Sequence, residues 1–132
     1  MEPNVSITPR VLIVDPCVES REVLRTVLQR RGITTVEASE GREGLALAKR
    51  YHPGVIVLDM ETVPAADTAT RAGYGDESRG GSTSLVMLAS ARRDTVGLPD
   101  GEVVPKPYHY GPLIRTIEQL LQTPARAGRR TG

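Results

Sequence analysis

The chain has 132 residues, of which 39% are hydrophobic and 25% charged, with a formal net charge of +1; this suits one domain with its own core and argues against a domain-wide nucleic-acid footprint. Four tyrosines stand without phenylalanine or tryptophan, and Cys17 is the single cysteine, so the core rests on aliphatic residues, base-stacking platforms are scarce, and an internal disulfide is excluded, as fits a reducing cytosol. No apolar run approaches the roughly 20 residues that span a bilayer and no signal-peptide pattern opens the chain, so a cytoplasmic domain without membrane contact is expected.

Met1 to Arg10 is polar, carries two prolines and reads as a flexible leader. The first strand is Val11 to Val14, a short continuous apolar run of the kind buried on both faces. Asp15 ends it, and Pro16 suits the first turn of a helix. From about Glu19 to Arg31 the spacing sets Val23, Leu24, Val27 and Leu28 on one face and arginines on the other. Gly32 follows as a left-handed cap. Ile33 to Ala38 is a second strand.

Ser39 is read as the N-cap of a second helix reaching about Tyr51, with Leu45, Ala48 and Tyr51 inward; His52-Pro53 ends it. Val55 to Leu58 is a third strand, ending at Asp59. The stretch from Glu61 to Ser84 has no Leu, Ile or Val between Val63 and Leu85. At most a short helix over about Ala65 to Ala72 is expected there, followed by a mobile loop over Gly73 to Thr83. Leu85 to Leu88 is a fourth strand, and a short fourth helix over about Ser90 to Val96 stops at Gly97-Leu98-Pro99. Val103-Val104 and its neighbours form the fifth strand. Tyr110 to Gln122 is a last helix, with Leu113, Ile114, Ile117, Leu120 and Leu121 at helical spacing. Thr123 to Gly132 reads as a disordered tail or linker, and its arginines as solvated. Alternating strands and helices over 11–122 make an α/β domain: a doubly wound five-stranded parallel sheet of flavodoxin-like order 2-1-3-4-5, with shortened third and fourth helices.

In that topology the strand ends share one edge, and ligands bind where the strand order reverses. Asp15 and Asp59 flank that point. Like charges so close call for a cation, and Mg²⁺ suits oxygen ligands and phosphate; alternatively, one carboxylate is a nucleophile on phosphorus. Lys106, one of two lysines, follows the fifth strand between two prolines and can neutralise phosphoryl charge. Cys17 is read as a small, partly buried residue beside the pocket, and His52 and His109 as surface or turn residues.

Val-Leu-Ile-Val-Asp15, the helix beginning near Glu-Ser-Arg-Glu-Val-Leu, Glu37 to Leu45, Val-Ile-Val-Leu-Asp59-Met60 and Lys106-Pro107-Tyr108, in this order and spacing, resemble the receiver domain of two-component response regulators over about residues 10 to 122. The resemblance implies that Asp59 is the phosphoacceptor, Asp15 belongs to the Mg²⁺-binding acidic pocket, and Lys106 contacts the phosphoryl group. It also implies a histidine kinase or phosphotransfer protein as donor and an unknown downstream protein as target, with no nucleic acid expected. The function so implied is that of a stand-alone, non-enzymatic receiver in a phosphorelay.

The chain departs from the family pattern at several points. Pro16 stands where the family carries a second acid, so Mg²⁺ is expected to bind weakly or not at all, with Glu19 or Glu61 (the latter through backbone or side chain) as the candidate substitute ligand. Ala89 aligns with the usual Ser or Thr, and Ser90 beside it is the candidate hydroxyl contact. Val103 occupies an aromatic switch position, and the loop Glu61-Thr62-Val63-Pro64 is about one residue longer than usual. These departures support an alternative function, a phosphorylation-independent pseudo-receiver that acts as a protein-interaction module. An aspartate-nucleophile phosphatase of the haloacid dehalogenase type is a weaker third reading, carried only by the acid Glu61 two residues after Asp59.

Overall fold

The computed structural model describes residues 8–98 and 101–122. Five strands run parallel in the order β2-β1-β3-β4-β5: β1 Val11–Val14, β2 Thr35–Ala38, β3 Val55–Asp59, β4 Ser84–Ala89 and β5 Glu102–Pro105. The helices are α1 Val18–Arg30, α2 Gly41–Tyr51, α3 Thr68–Arg79 and α4 Tyr110–Gln122, with 3-10 turns at Met60–Thr62 and Arg92–Thr95. The expected doubly wound architecture and strand order are those observed. Most of the proposed leader and the whole tail lie outside the described residues. Arg10, the last residue of the leader, and Val11, the first of β1, donate from their backbone N–H groups to the Thr34 carbonyl, which ties that stretch to the residue before β2.

The apolar runs of β1, β3 and β4 are buried on both faces because successive side chains point to opposite sides. On one face Val11, Ile13, Val55, Val57, Val86 and Leu88 meet Leu24 and Leu28 of α1 and Leu113, Ile114 and Ile117 of α4. On the other, Leu12, Val14, Ile56, Leu58, Leu85 and Met87 meet Ala48 of α2 and Tyr74 of α3. Among the described residues, no helix is long and apolar enough to cross a membrane.

The third helix is a correction. It is not shortened: α3 runs for 12 residues and covers most of the stretch expected to be a loop. Asp67 caps it, its side chain accepting from the Thr70 N–H at 3.2 Å. Its buried face is made of Thr70, Arg71, Tyr74 and Gly75 rather than aliphatic residues. Tyr74 is fully buried and its hydroxyl donates to the Gly41 carbonyl at 2.6 Å, so one aromatic ring supplies what a stripe of leucines would. Close approach makes this possible. A Cβ on Gly44 would meet the Tyr74 hydroxyl oxygen at 2.5 Å, and a Cβ on Gly73 would run into the Leu45 side chain.

The segment after β4 is even shorter than expected, a single 3-10 turn at Arg92–Thr95. Smaller differences have local causes. Val23 is 39% exposed, because Leu24 and Leu28 alone carry the buried stripe of α1. The N-cap of α2 is Glu40, and Ser39 instead donates its backbone N–H to the Glu43 carboxylate at 3.3 Å. Gly32 adopts the left-handed conformation expected of it, at φ 78°.

Replacing Tyr74 tests this packing. Tyr74→Ala opens a cavity against α2 and is expected to cost about 3–5 kcal/mol in chemical denaturation. Tyr74→Phe removes only the bond to Gly41 and is expected to cost about 1–2 kcal/mol. Equal, small losses in both variants would contradict the packing described.

Candidate functional site

The carboxyl ends of β1, β3 and β5 open into a cleft of about 520 Å³ whose walls include Asp15, Pro16, Asp59, Glu61, Ser90, Lys106 and Tyr108. Five of these are the residues singled out from sequence, so the topology gathers all of them. Register explains the acids. Val14 lies beside Leu58 in the parallel pairing, which carries Asp15 next to Asp59 one residue on. Both are nearly inaccessible, at 3% and 5% exposure.

Each acid is held by the turn that follows it. Asp59 accepts the Glu61 N–H on Oδ1 at 2.9 Å, and its carbonyl accepts the Thr62 hydroxyl at 2.6 Å. Asp15 accepts the Cys17 N–H on Oδ1 at 2.8 Å. Pro16 sits inside that turn, where its fixed φ favours the bend that aims Asp15. The Asp15 carbonyl accepts from the Arg21 guanidinium, and Arg21 and Arg25 both pair with Glu37 of β2, at 3.3 and 2.9 Å. The arginine face of α1 therefore fastens β2 and the Asp15 turn together.

Lys106 is the cation of the cleft. Its backbone N–H donates to the Ala89 carbonyl at 3.0 Å, which continues the sheet one residue past β5. Its Nζ lies 2.8 Å from Asp59 Oδ1 and 3.1 Å from Glu61 Oε2. Partial burial works against the charged ammonium, and the hydrogen bonds and charges of Asp59 and Glu61 overcome it, holding the Lys106 pKa above the ordinary lysine value. Burial pushes the Asp15 carboxyl up; the Cys17 N–H counters this in part, and the charge of Asp59 adds to the rise.

Asp59 Oδ1 accepts both the Glu61 N–H and the Lys106 ammonium, and Asp59 lines the cleft. The Glu61 carboxylate turns to Lys106, and among the described residues no three acidic, histidine or cysteine side chains gather as a metal cage. Asp15 and Asp59 remain as the donor pair. Two carboxylates completed by water and phosphate oxygens are a set that Mg²⁺ accepts, so the residues fit that ion.

Ser90 is exposed on the cleft wall, while Ala89 is buried at the end of β4. Val103, at the expected switch position, is half-buried among the residues packed on the α2–α3 face. Cys17 corrects its expectation: it is exposed, because it stands at the N-terminal boundary of α1 with its side chain turned outward, Sγ 3.4 Å from the Glu19 carboxylate. Sequence reasoning missed Tyr108 and Tyr110 as cleft walls. Their rings meet edge to face at 5.5 Å, and burial, first among several causes, pushes the Tyr108 hydroxyl well up. It also missed Arg71, whose spacing beside Thr70 and Tyr74 on one face of α3 was the available signal.

No family model matches the chain. It is 30% identical over 121 residues to a curated protein of Porphyridium aerugineum described as probable transcriptional regulator ycf27, covering 86% of this chain and 48% of that protein. The chain thus spans about half the length of that relative. Among solved structures, the receiver domain of the sensor histidine kinase PA1611 from Pseudomonas aeruginosa, with a magnesium ion coordinated in its active site cleft, superposes with a TM-score of 0.73 at 15% identity, covering 89% of this chain and all of that one, 100%. The receiver domain of Saccharomyces cerevisiae Ssk1, crystallised with the histidine phosphotransfer protein Ypd1, is similar at a TM-score of 0.71 and 19% identity, covering 91% and 94%. At such identities the likeness speaks to the fold.

The buried Asp15 gives a test of pH dependence. Its folded pKa lies above the ordinary carboxylate value, so ionisation opposes folding at neutral pH, and this opposition fades as pH falls through the raised pKa towards the unfolded value. Asp15→Asn keeps an oxygen for the Cys17 N–H. It is expected to be more stable than the unsubstituted chain at pH 7, with the gain shrinking towards pH 4, as followed by thermal or chemical denaturation. A gain that grows on acidification would contradict this.

Proposed function

The chain has the fold of response-regulator receiver domains and resembles them in sequence, and from that premise we propose that it accepts a phosphoryl group on Asp59 and signals through protein contacts. The donor is the phosphohistidine of a histidine kinase or phosphotransfer protein. The arrangement that supports this most directly is Lys106 Nζ at 2.8 Å from Asp59 Oδ1, with Asp59 on the cleft wall. Asp59 Oδ2 attacks phosphorus, an O–P bond forms, and the P–N bond to the donor imidazole breaks with its electron pair leaving on nitrogen. Lys106 is then placed to shift from Asp59 onto a phosphoryl oxygen. Ser90, on the same wall, is positioned as a hydroxyl donor to another.

Mg²⁺, held by Asp15 and Asp59 with help from the Glu61 backbone, would supply the charge neutralisation that brings a phosphoryl group beside two carboxylates. Pro16 contributes no ligand where an acid would. The affinity is therefore proposed to be weak, and phosphorylation correspondingly dependent on Mg²⁺ concentration. The complex of the Ssk1 receiver with Ypd1 supports a histidine phosphotransfer protein as the kind of partner to test.

A second reading keeps the fold and drops the chemistry: a pseudo-receiver that binds its partner regardless of phosphorylation. Pro16 and the single turn in place of a helix after β4 favour it.

Beryllofluoride with Mg²⁺, followed by amide NMR, separates the two. Shifts centred on Asp59, Glu61 and Lys106 are expected at millimolar Mg²⁺; a silent spectrum removes the phosphoryl reading. Asp59→Asn is expected to abolish those shifts and, in cells, the signal. An unchanged phenotype favours the second reading. Restoring the acid in Pro16→Asp is expected to tighten Mg²⁺ by roughly tenfold or more in a metal titration, about 1.4 kcal/mol, and unaltered affinity would show that Pro16 is not what limits the ion.

A further inference from the structure

Arg71 of α3 is a buried charge that the cleft chemistry does not use. It is 4% exposed, and its guanidinium stands between two loops. Nε and Nη2 donate to the Val63 carbonyl at 3.1 and 2.9 Å, and Nη1 donates to the Val96 carbonyl at 2.7 Å. Val63 closes the 3-10 turn that begins at Asp59, its N–H donating to the Met60 carbonyl at 3.2 Å. Val96 closes the turn Arg92–Thr95, and its side chain is 69% exposed on the surface. Burying a guanidinium is costly, and an aliphatic side chain would fill the space without that cost. What the arginine offers instead is a rigid fork with donors on both sides.

We infer that Arg71 is a positioning residue that couples occupancy of the Asp59 cleft to the conformation of surface segment 92–98. The route is short. The Asp59 side chain accepts from Glu61 and the Asp59 carbonyl accepts from Thr62, so a group added to Asp59, drawing Lys106 from Oδ1, disturbs the 60–63 turn. The Val63 carbonyl moves with that turn. Arg71 then either follows it, pulling on Val96, or lets Val96 go. The segment is suited to two arrangements. It is one 3-10 turn closed by the Ala91 N–H on Asp94 at 3.1 Å, it ends on Gly97 at φ 91°, and Leu98 is its partly buried anchor. A single short turn is the kind of two-state element through which two sites bias one another. The trigger rests on the phosphoryl reading; the coupling through Arg71 does not.

The test follows the Arg71 Nε–H signal and backbone amides by NMR in the full chain as beryllofluoride and Mg²⁺ are added. The Arg71 signal and the amides of Val96 to Leu98 are expected to move with the same midpoint as those of Met60 to Val63. In Arg71→Lys, which cannot span both carbonyls, the 60–63 shifts are expected to persist and the 96–98 shifts to collapse. A stationary Arg71 signal, or 96–98 shifts of undiminished size in Arg71→Lys, overturns the inference. Arg71→Gln replaces the lysine variant if that fails to fold, and the side-chain signal of the unsubstituted chain decides without either. If beryllofluoride moves nothing, the phosphoryl reading fails, and Asp59→Asn becomes the perturbation. It is then expected to shift the 96–98 amides in the presence of Arg71 and not in the double variant with Arg71→Lys. Equal shifts in both overturn the coupling.

Discussion

Two carboxylates at the ends of neighbouring parallel strands repel one another, and the bond from Lys106 Nζ to Asp59 at 2.8 Å is the interaction that makes the cleft tenable. It spans the sheet from the end of β5, across β4, to the end of β3. The fold serves that bond at several points. The Lys106 N–H extends the ladder onto Ala89, prolines on either side narrow the backbone freedom of the lysine, and the Glu61 carboxylate supplies its second partner. In a mixed or antiparallel sheet the three charges would be distributed over two edges.

The helical layer on the α2–α3 face reaches into the same chemistry. A Cβ on Gly41, at the start of α2, would stand 2.5 Å from the Thr62 carbonyl, so α2 packs directly on the turn that orients Asp59. Tyr74 donates to that same Gly41. The small residues of α2 and the single ring of α3 thus hold the back of the cleft, and Arg71 on the same face of α3 grips the end of the turn. Packing here is also positioning.

Pro16 has two consequences that pull in opposite directions. As a side chain it withdraws a carboxylate from the metal site. As a backbone element it stiffens the turn in which the Cys17 N–H holds Asp15. The remaining acid is therefore well aimed, within a site whose total negative charge is reduced, which also lowers the repulsion that Lys106 has to offset in the absence of a cation.

Local pattern alone determined the five strands, their parallel arrangement and the convergence of Asp15, Asp59 and Lys106 on one edge, because continuous apolar runs separated by helices leave few other topologies; Glu61 and Ser90 entered only through the resemblance to receiver domains. It also placed α4 at the observed limits, since Leu113, Ile114 and Ile117 repeat with the helical period. It failed at α3, where burial is carried by Tyr74, a buried arginine and glycines that let helices approach, none of which registers as an apolar stripe. It failed again at Cys17 and Val23, whose exposure depends on what neighbouring elements cover. Only the tertiary structure decided that Glu61 turns towards Lys106 and that Arg71 bridges the loops of Val63 and Val96, because hydrogen bonds between segments distant in sequence leave no period or spacing along the chain.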